Sequence, residues 1–255
     1  MTRDLDLPPG FSLVFLEECA STNDELRTLA RNGAEEGLIV MAARQTAGRG
    51  RRGRSWSSLP GNLCFSLLLR PECPVQEAAQ IGFVAGLALV EASASLLPPH
   101  SDLALKWPND MLLFDAKCAG ILLETENSGD NEHPDFVILG IGVNLAASPE
   151  DTPYKATSFT ESAQPGIAPD DMLAAFCRYF LRHIRTWADD GFSPIRRQWL
   201  VFAKGRGEAI TVDFGSTKMS GTFKDINEDG ALLLETPDGV KTITAGDIHF
   251  GTGGG

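Results

Sequence analysis

A chain of 255 residues with a formal net charge of −12 and 43% hydrophobic residues has room for one large domain, or a large and a small one, around a full core. No stretch approaches the roughly 18 apolar residues of a membrane span, and Met1 to Gly10 carries two prolines and three charges, unlike a signal peptide, so cytoplasm is the expected compartment. Five scattered cysteines without C-x-x-C spacing, and four histidines without ligand spacing or a partnered nucleophile, argue against disulfides, a metal held by the protein alone and a Ser-His-Asp hydrolase.

Leu13 to Glu17 reads as a strand. The helix after it opens on Ser21-Thr22-Asn23-Asp24-Glu25, where Thr22 and Glu25 have capping-box spacing, and closes on Asn32-Gly33. Leu38 to Ala43 is a short apolar strand feeding an arginine-rich loop, and Leu63 to Leu69 is the next strand. Val75 to Leu97 carries a long helical pattern stopped by Pro98-Pro99. Leu103 to Lys106, Met111 to Phe114 and Cys118 to Glu124 are strand-like, with Asp115-Ala116 as the tight turn between the last two. Phe136 to Val143 is a continuous apolar strand of the kind covered on both faces.

Ser148 to Pro169 is polar and proline-rich, a long loop, and Met172 to Ala188 and Pro194 to Ala203 are helical. From Gly205 the texture changes. Ala209 to Phe214, Ser220 to Ile226, Ala231 to Glu235 and Val240 to Thr244 alternate between turns at Asn227-Glu228-Asp229-Gly230 and Pro237-Asp238-Gly239, which predicts a small antiparallel barrel. The boundary falls near Lys204, dividing residues 1–204 from 205–255, and Gly251 to Gly255 reads as a loose tail.

Gly48-Arg49-Gly50-Arg51-Arg52-Gly53-Arg54 packs four arginines and three glycines into seven positions of an acidic chain. Glycines let backbone approach a ligand, and guanidinium forks match carboxylate and phosphate, so the loop reads as an anion clamp. It formally fits the dinucleotide fingerprint G-x-G-x-x-G. The residues after Arg54 cannot open the helix that fingerprint needs, which sets that reading aside. A nucleic-acid contact is weakened by the lack of any basic face, and a plain solvated loop is the bland alternative. Lys106-Trp107-Pro108-Asn109-Asp110 then offers a cation, an aromatic, a rigid turn and two polar side chains in a row. They could equally be a turn and a core tryptophan, or an adenine-facing surface with a carboxylate for Mg²⁺. Lys117 heads an apolar strand, and Gly140-Ile141-Gly142-Val143-Asn144 ends one with two glycines, a sign of close approach.

Taken together and in this order, Ser21-Thr22-Asn23, Gln45-Thr46-Ala47 with the arginine loop, Lys106 to Asp110, Lys117-Cys118-Ala119-Gly120-Ile121-Leu122 and Gly140 to Asn144 strongly resemble the motifs of the biotin protein ligases. The match spans about residues 12 to 145, with a looser echo at Gly230 to Glu235. The resemblance implies an α+β fold: a mixed β-sheet with flanking helices, related to class II synthetases and lipoate ligases, followed by a small C-terminal SH3-like β-barrel. It implies ATP and biotin as substrates, with Mg²⁺ carried on ATP, and two steps. Biotin carboxylate attacks the α-phosphate and expels pyrophosphate, leaving biotinyl-AMP; the ε-amine of a carrier lysine then attacks that anhydride.

By the same resemblance Arg51, Lys117 and Arg49 are catalytic. Ser21, Thr22, Asn23, Gln45, Gly48, Arg49, Lys117 and Gly120 surround biotin, while Arg51, Arg52, Arg54, Trp56, Lys106, Asn109 and Asn144 surround the nucleotide, with Asp110 toward the metal. Thr22 has two competing tasks, helix cap and ligand contact, and its hydroxyl does only one well. No general base stands out, so catalysis would rest on positioning and charge neutralisation. The implied partner is a biotin carboxyl carrier protein domain of acyl-CoA carboxylase or a related carboxylase; monomer and homodimer both stay open. About twenty residues precede Ser21, too few for the helix-turn-helix domain some relatives carry, so neither DNA binding nor membrane attachment is expected. A lipoate or octanoate ligase is the nearest rival.

Overall fold

The computed structural model describes residues 5–250 except 128, 130, 131, 164 and 165; the glycine-rich tail from Gly251 lies outside the described residues. The larger sheet joins β1 (Ser12–Cys19), β2 (Leu38–Gln45), β3 (Leu63–Leu69), β4 (Leu103–Lys106), β5 (Asp110–Leu113), β6 (Ala116–Glu126) and β7 (Phe136–Val143) in the order β1-β2-β3-β7-β6-β5-β4. β1 and β2 run parallel, linked by α1 (Thr22–Arg31), and every other pair is antiparallel.

Strand alternation divides the core in two. Val40, Leu68, Phe136 and Ile138 face α1 and pack on Leu26 and Ala30. Their neighbours Ile39, Met41, Leu67, Leu69, Val137 and Leu139 point the other way, into the main core. That core is capped by α3 (Ile81–Leu96), α5 (Pro169–Asp190) and α6 (Phe192–Phe202). Layers on both faces explain why β3 and β7 are buried at every position.

The expected helix from Val75 to Leu97 is broken. A single turn, α2 (Val75–Ala78), precedes α3, and i→i+3 bonds such as Gly82 N–H to Ala79 O tighten the chain between them. Next to the break the Gln80 side chain accepts from Trp187 Nε1 at 2.7 Å and donates to Glu228 O at 2.9 Å. By length and composition alone Val75–Leu96 is apolar enough to cross a membrane, although Gln76, Glu77, Gln80 and Glu91 interrupt its apolar run. Most of it is buried against the sheet, α5 and α6, so its apolarity serves the core.

Three further differences are local. The β5–β6 turn uses Phe114 and Asp115, both at positive φ (48° and 62°), and Ala116 already belongs to β6. The predicted loop from Ser148 contains a helical turn, α4 (Phe159–Ser162), opened by a Ser158–Glu161 capping box. The second sheet holds β8 (Ala209–Asp213), β9 (Lys218–Ile226), β10 (Leu232–Thr236) and β11 (Gly239–Ile243), plus an unexpected β12 (Asp247–Phe250). Its order is β11-β10-β9-β8-β12, all antiparallel, in keeping with an SH3-like barrel. It sits firmly on the first domain: Trp107 Nε1 donates to Gly230 O at 2.9 Å and Arg196 pairs with Asp225 at 2.7 Å.

Candidate active site

The arginine loop leaves the end of β2 and arches over a solvent-open cleft lined by residues of α1, β2, β5, β6 and β7. It is an ordered arch. Gly50 N–H donates to Arg54 O at 2.7 Å, Trp56 N–H to Gly48 O at 2.9 Å, and Arg54 N–H to Arg51 O at 3.3 Å across a tight turn with Arg52 and Gly53 at positive φ (56° and 72°). Gly48 does not line the cleft; a Cβ there would meet Trp56 O at 2.7 Å, so the glycine lets the loop fold on itself.

The four guanidiniums have different fates. Arg49 holds Asp24 of α1 through both Nη atoms, at 2.5 and 2.7 Å. Arg54 reaches Asp247 of β12 at 2.7 Å and Arg52 reaches it at 3.5 Å, so the Arg52 side chain is directed away from the cleft. Arg51 alone of the four pairs with no carboxylate among the described residues; it lines the cleft and donates to Asn109 Oδ1 at 3.2 Å. Burial pulls its guanidinium below the ordinary value, opposed by Asp247, while Arg52 adds to the pull. A cation desolvated without a counter-ion is stabilised by any anion that enters.

The inner end of the cleft is a pocket of neutral polar groups. Ser21, Thr22 and Asn23 open α1 and are all buried. Ser21 is the N-cap by backbone geometry, without a side-chain cap bond. The Thr22 hydroxyl does not cap the helix. It donates to Gln45 Oε1 at 3.0 Å, the oxygen that also accepts from Thr22 N–H at 2.8 Å, and it meets the Ser66 hydroxyl at 2.7 Å. Asn23 is held at both ends: Ser66 Oγ donates to its Oδ1 at 2.5 Å, and its Nδ2 donates to Glu124 at 2.6 Å. Gly140 makes room for that amide, since a Cβ there would lie 2.3 Å from Asn23 Oδ1.

The other wall carries Lys117, whose Nζ lies 2.6 Å from Asp110 Oδ1 and within 5.1 and 5.9 Å of the Tyr154 and Trp56 rings. Asp110 is the one carboxylate among the cleft-lining residues. The Trp56 ring lies flush on the sheet because Gly142 and Gly120 have no side chain: a Cβ at Gly142 would sit 2.2 Å from the ring and one at Gly120 3.2 Å. Its Nε1 is buried and has no hydrogen-bond partner of ordinary geometry among the described residues. Asn109 donates to Ile121 O at 2.7 Å, which aims its Oδ1 at Arg51.

Lys106 and Asn144 stand back from the cleft. Burial lowers the Lys106 pKa, against the pull of Asp110, and its Nζ lies 5.7 Å from the Phe250 ring. Asn144 is a buried bracket, donating to Thr157 O at 3.1 Å while its Oδ1 faces Asn62 Nδ2 at 3.4 Å, although it borders the adjoining hollow with Trp56 and Tyr154. Tyr154, Ser66 and Asp247 were not foreseen. Tyr154 lies in a stretch with no periodicity, yet Lys117 N–H donates to Lys155 O and Thr157 N–H to Lys117 O, stitching that stretch to the head of β6.

A clamp of cations over a neutral pocket, built on a mixed sheet, defines a site for joining one anionic acid to another anion. Residues 7–201 match the biotin/lipoate A/B protein ligase family, and the chain belongs to it; residues 206–251 match the biotin protein ligase C-terminal domain. The chain is 40% identical over 236 residues to the biotin–(acetyl-CoA-carboxylase) ligase of Paracoccus denitrificans, covering 91% of this chain and 97% of that one. The Aquifex aeolicus biotin protein ligase in complex with biotin and ATP superposes with a TM-score of 0.80 at 28% identity, covering 93% and 97% of the two chains. The Leishmania major enzyme in complex with biotinyl-5-AMP superposes with a TM-score of 0.64 at 26% identity, covering 93% and 100%.

Proposed function

We propose that this chain attaches biotin to a lysine of a biotin carboxyl carrier protein domain, using ATP and passing through biotinyl-AMP. The observation that carries this reading is that Arg51, which pairs with no carboxylate among the described residues, shares one cleft with Lys117 beside a neutral pocket. Two anions repel until cations neutralise them, and preorganised charges do so without reorganisation. The Aquifex ligase in complex with biotin and ATP and the Leishmania ligase in complex with biotinyl-5-AMP suggest the acid, the nucleotide and the intermediate.

In the first step a biotin carboxylate oxygen bonds to the α-phosphorus as the bond to the bridging oxygen of pyrophosphate breaks. In the second, the carrier amine bonds to the acyl carbon, AMP leaves with the bonding pair, and the amine gives up a proton. Ser21, Thr22 and Gln45 face the ureido ring, with Asn23 fixed behind them as a wall and the backbone at Arg49 and Gly120 closing the pocket. Trp56 and Tyr154 present ring faces toward the adenylate. Lys117 would leave Asp110 for the substrate oxyanions, and Asp110 together with the phosphates would hold a Mg²⁺ carried on ATP, which would neutralise charge on the leaving pyrophosphate. One carboxylate plus phosphates is the ordinary Mg²⁺ donor set. We place the catalytic part at residues 1–204 and the C-terminal part at 205–255. The five cysteines are free, which suits a reducing cytoplasm. Sedimentation of the intact chain decides between monomer and homodimer.

ATP–pyrophosphate exchange with Mg²⁺, comparing biotin, lipoate and octanoate, tests the reading. Exchange that requires biotin is expected. Exchange with lipoate or octanoate would move the chain to the sister activity, and none with any acid would refute the reading.

A further inference from the structure

The arginine loop is tied down on two sides, and the two anchors belong to different parts of the chain. Asp24 of α1 takes Arg49. Asp247, which opens β12, takes Arg54 at 2.7 Å and Arg52 at 3.5 Å, and Arg52 also approaches Asp213 O at 3.5 Å. Arg52 makes these contacts from a left-handed backbone (φ 56°, ψ 34°) that residues with a side chain rarely adopt. The partner is on firm ground. Asp247 is paired with Asp213 in the β12–β8 ladder, and the sheet is pinned through Gly230 to Trp107 and through Asp225 to Arg196.

We propose that Asp247 is a positioning residue through which the C-terminal sheet holds the arginine loop closed, and so sets how long the adenylate stays beneath Arg51 and Lys117. This rests on the ligase reading and extends it to the C-terminal part, to which the sequence assigns no task. The side chains of Arg52, Arg54 and Asp247 are 38, 44 and 32% exposed, so each pair is weak and open to screening by salt. Weakness suits the role, because a loop that admits substrates and releases product must open. The tie also engages only flanking arginines, which leaves Arg51 between the anchors for substrate.

The test compares the intact wild-type protein with Asp247→Asn and Asp247→Glu. Hydrogen exchange of the Gly50, Arg54 and Trp56 amides, whose bonds close the loop, is read without substrate. Asp247→Asn is expected to speed it by about threefold to tenfold, the scale of two exposed ion pairs, with core amides unchanged and Asp247→Glu close to wild type. Release of preformed biotinyl-AMP should quicken by a similar factor at low salt, and the difference should vanish at about 0.5 M KCl as screening opens the wild-type tie. Biotin alone should dissociate at the same rate from both. Equal amide exchange in wild type and Asp247→Asn overturns the tie. Faster exchange with unchanged release overturns its role in retention. Failure of the wild type to form biotinyl-AMP would refute the ligase reading instead, and the exchange comparison would still decide the tie.

Discussion

Among the four loop arginines, Arg51 is the one without a carboxylate partner among the described residues, and it is the one we propose for substrate. At Gly142 the value lies in what the missing side chain permits. A methyl group there would occupy the space of the Trp56 ring, at 2.2 Å. Since the ring belongs to a loop and Gly142 to a strand at ordinary dihedrals, Trp56 is the side that moves. Gly142→Ala should therefore keep the fold and lose the site: a shifted tryptophan emission spectrum, far-UV circular dichroism unchanged, and pyrophosphate exchange down at least about tenfold, the scale of a modest misplacement of reacting groups. Wild-type exchange in that variant would mean that the ring's position does not matter.

At the scale of elements, the site is a meeting of element ends. The first turn of α1, the end of β2, the β5–β6 hairpin and the glycines of β7 each supply part of it, and Asp24 couples the helix to the arginine loop. The Arg49 hydrogen bond holds the Asp24 carboxyl below its ordinary value of 3.8, against the cost of burial. A lowered carboxyl stabilises above its unfolded value and loses that contribution as pH falls through the folded one. The loop anchor is thus fully present at neutral pH and is lost only in acid, below the ordinary carboxylate range. Trp56 emission should accordingly hold steady from neutral to mildly acidic pH and change below 3.8, and Asp24→Asn should abolish that change. An identical acid transition in the variant would assign it to another group.

For the whole molecule, the contact between the two sheets matters most. Trp107 belongs to the segment that resembles a nucleotide motif, but its ring is buried and its Nε1 serves Gly230 of the C-terminal sheet. Trp107→Phe removes the donor and strands a carbonyl, a loss of about 1–3 kcal/mol. A lower melting temperature is the expected readout, together with faster hydrogen exchange around residues 227–231. A melting temperature equal to wild type would show that the sheet is held by its other contacts.

What the sequence by itself determined was everything carried by local pattern. Short apolar runs located β3, β4 and β7 to the residue, and the glycine-arginine run pointed to an anion site because such charge density in an acidic chain has few other uses. The order of the motifs carried the family, and the Ser158–Glu161 box was legible though unread. Tertiary structure decided the pairings. Arg49 and Arg52 find their carboxylates 25 and 195 residues away, and no local rule says which arginine will be left over. Thr22 had two tasks open to one hydroxyl until Gln45 and Ser66 came within reach. Tyr154 joined the cleft only because its stretch of chain bonds across to Lys117. Propensity and period act over a few residues, whereas ion pairs and buried hydrogen bonds depend on which distant groups the fold brings together.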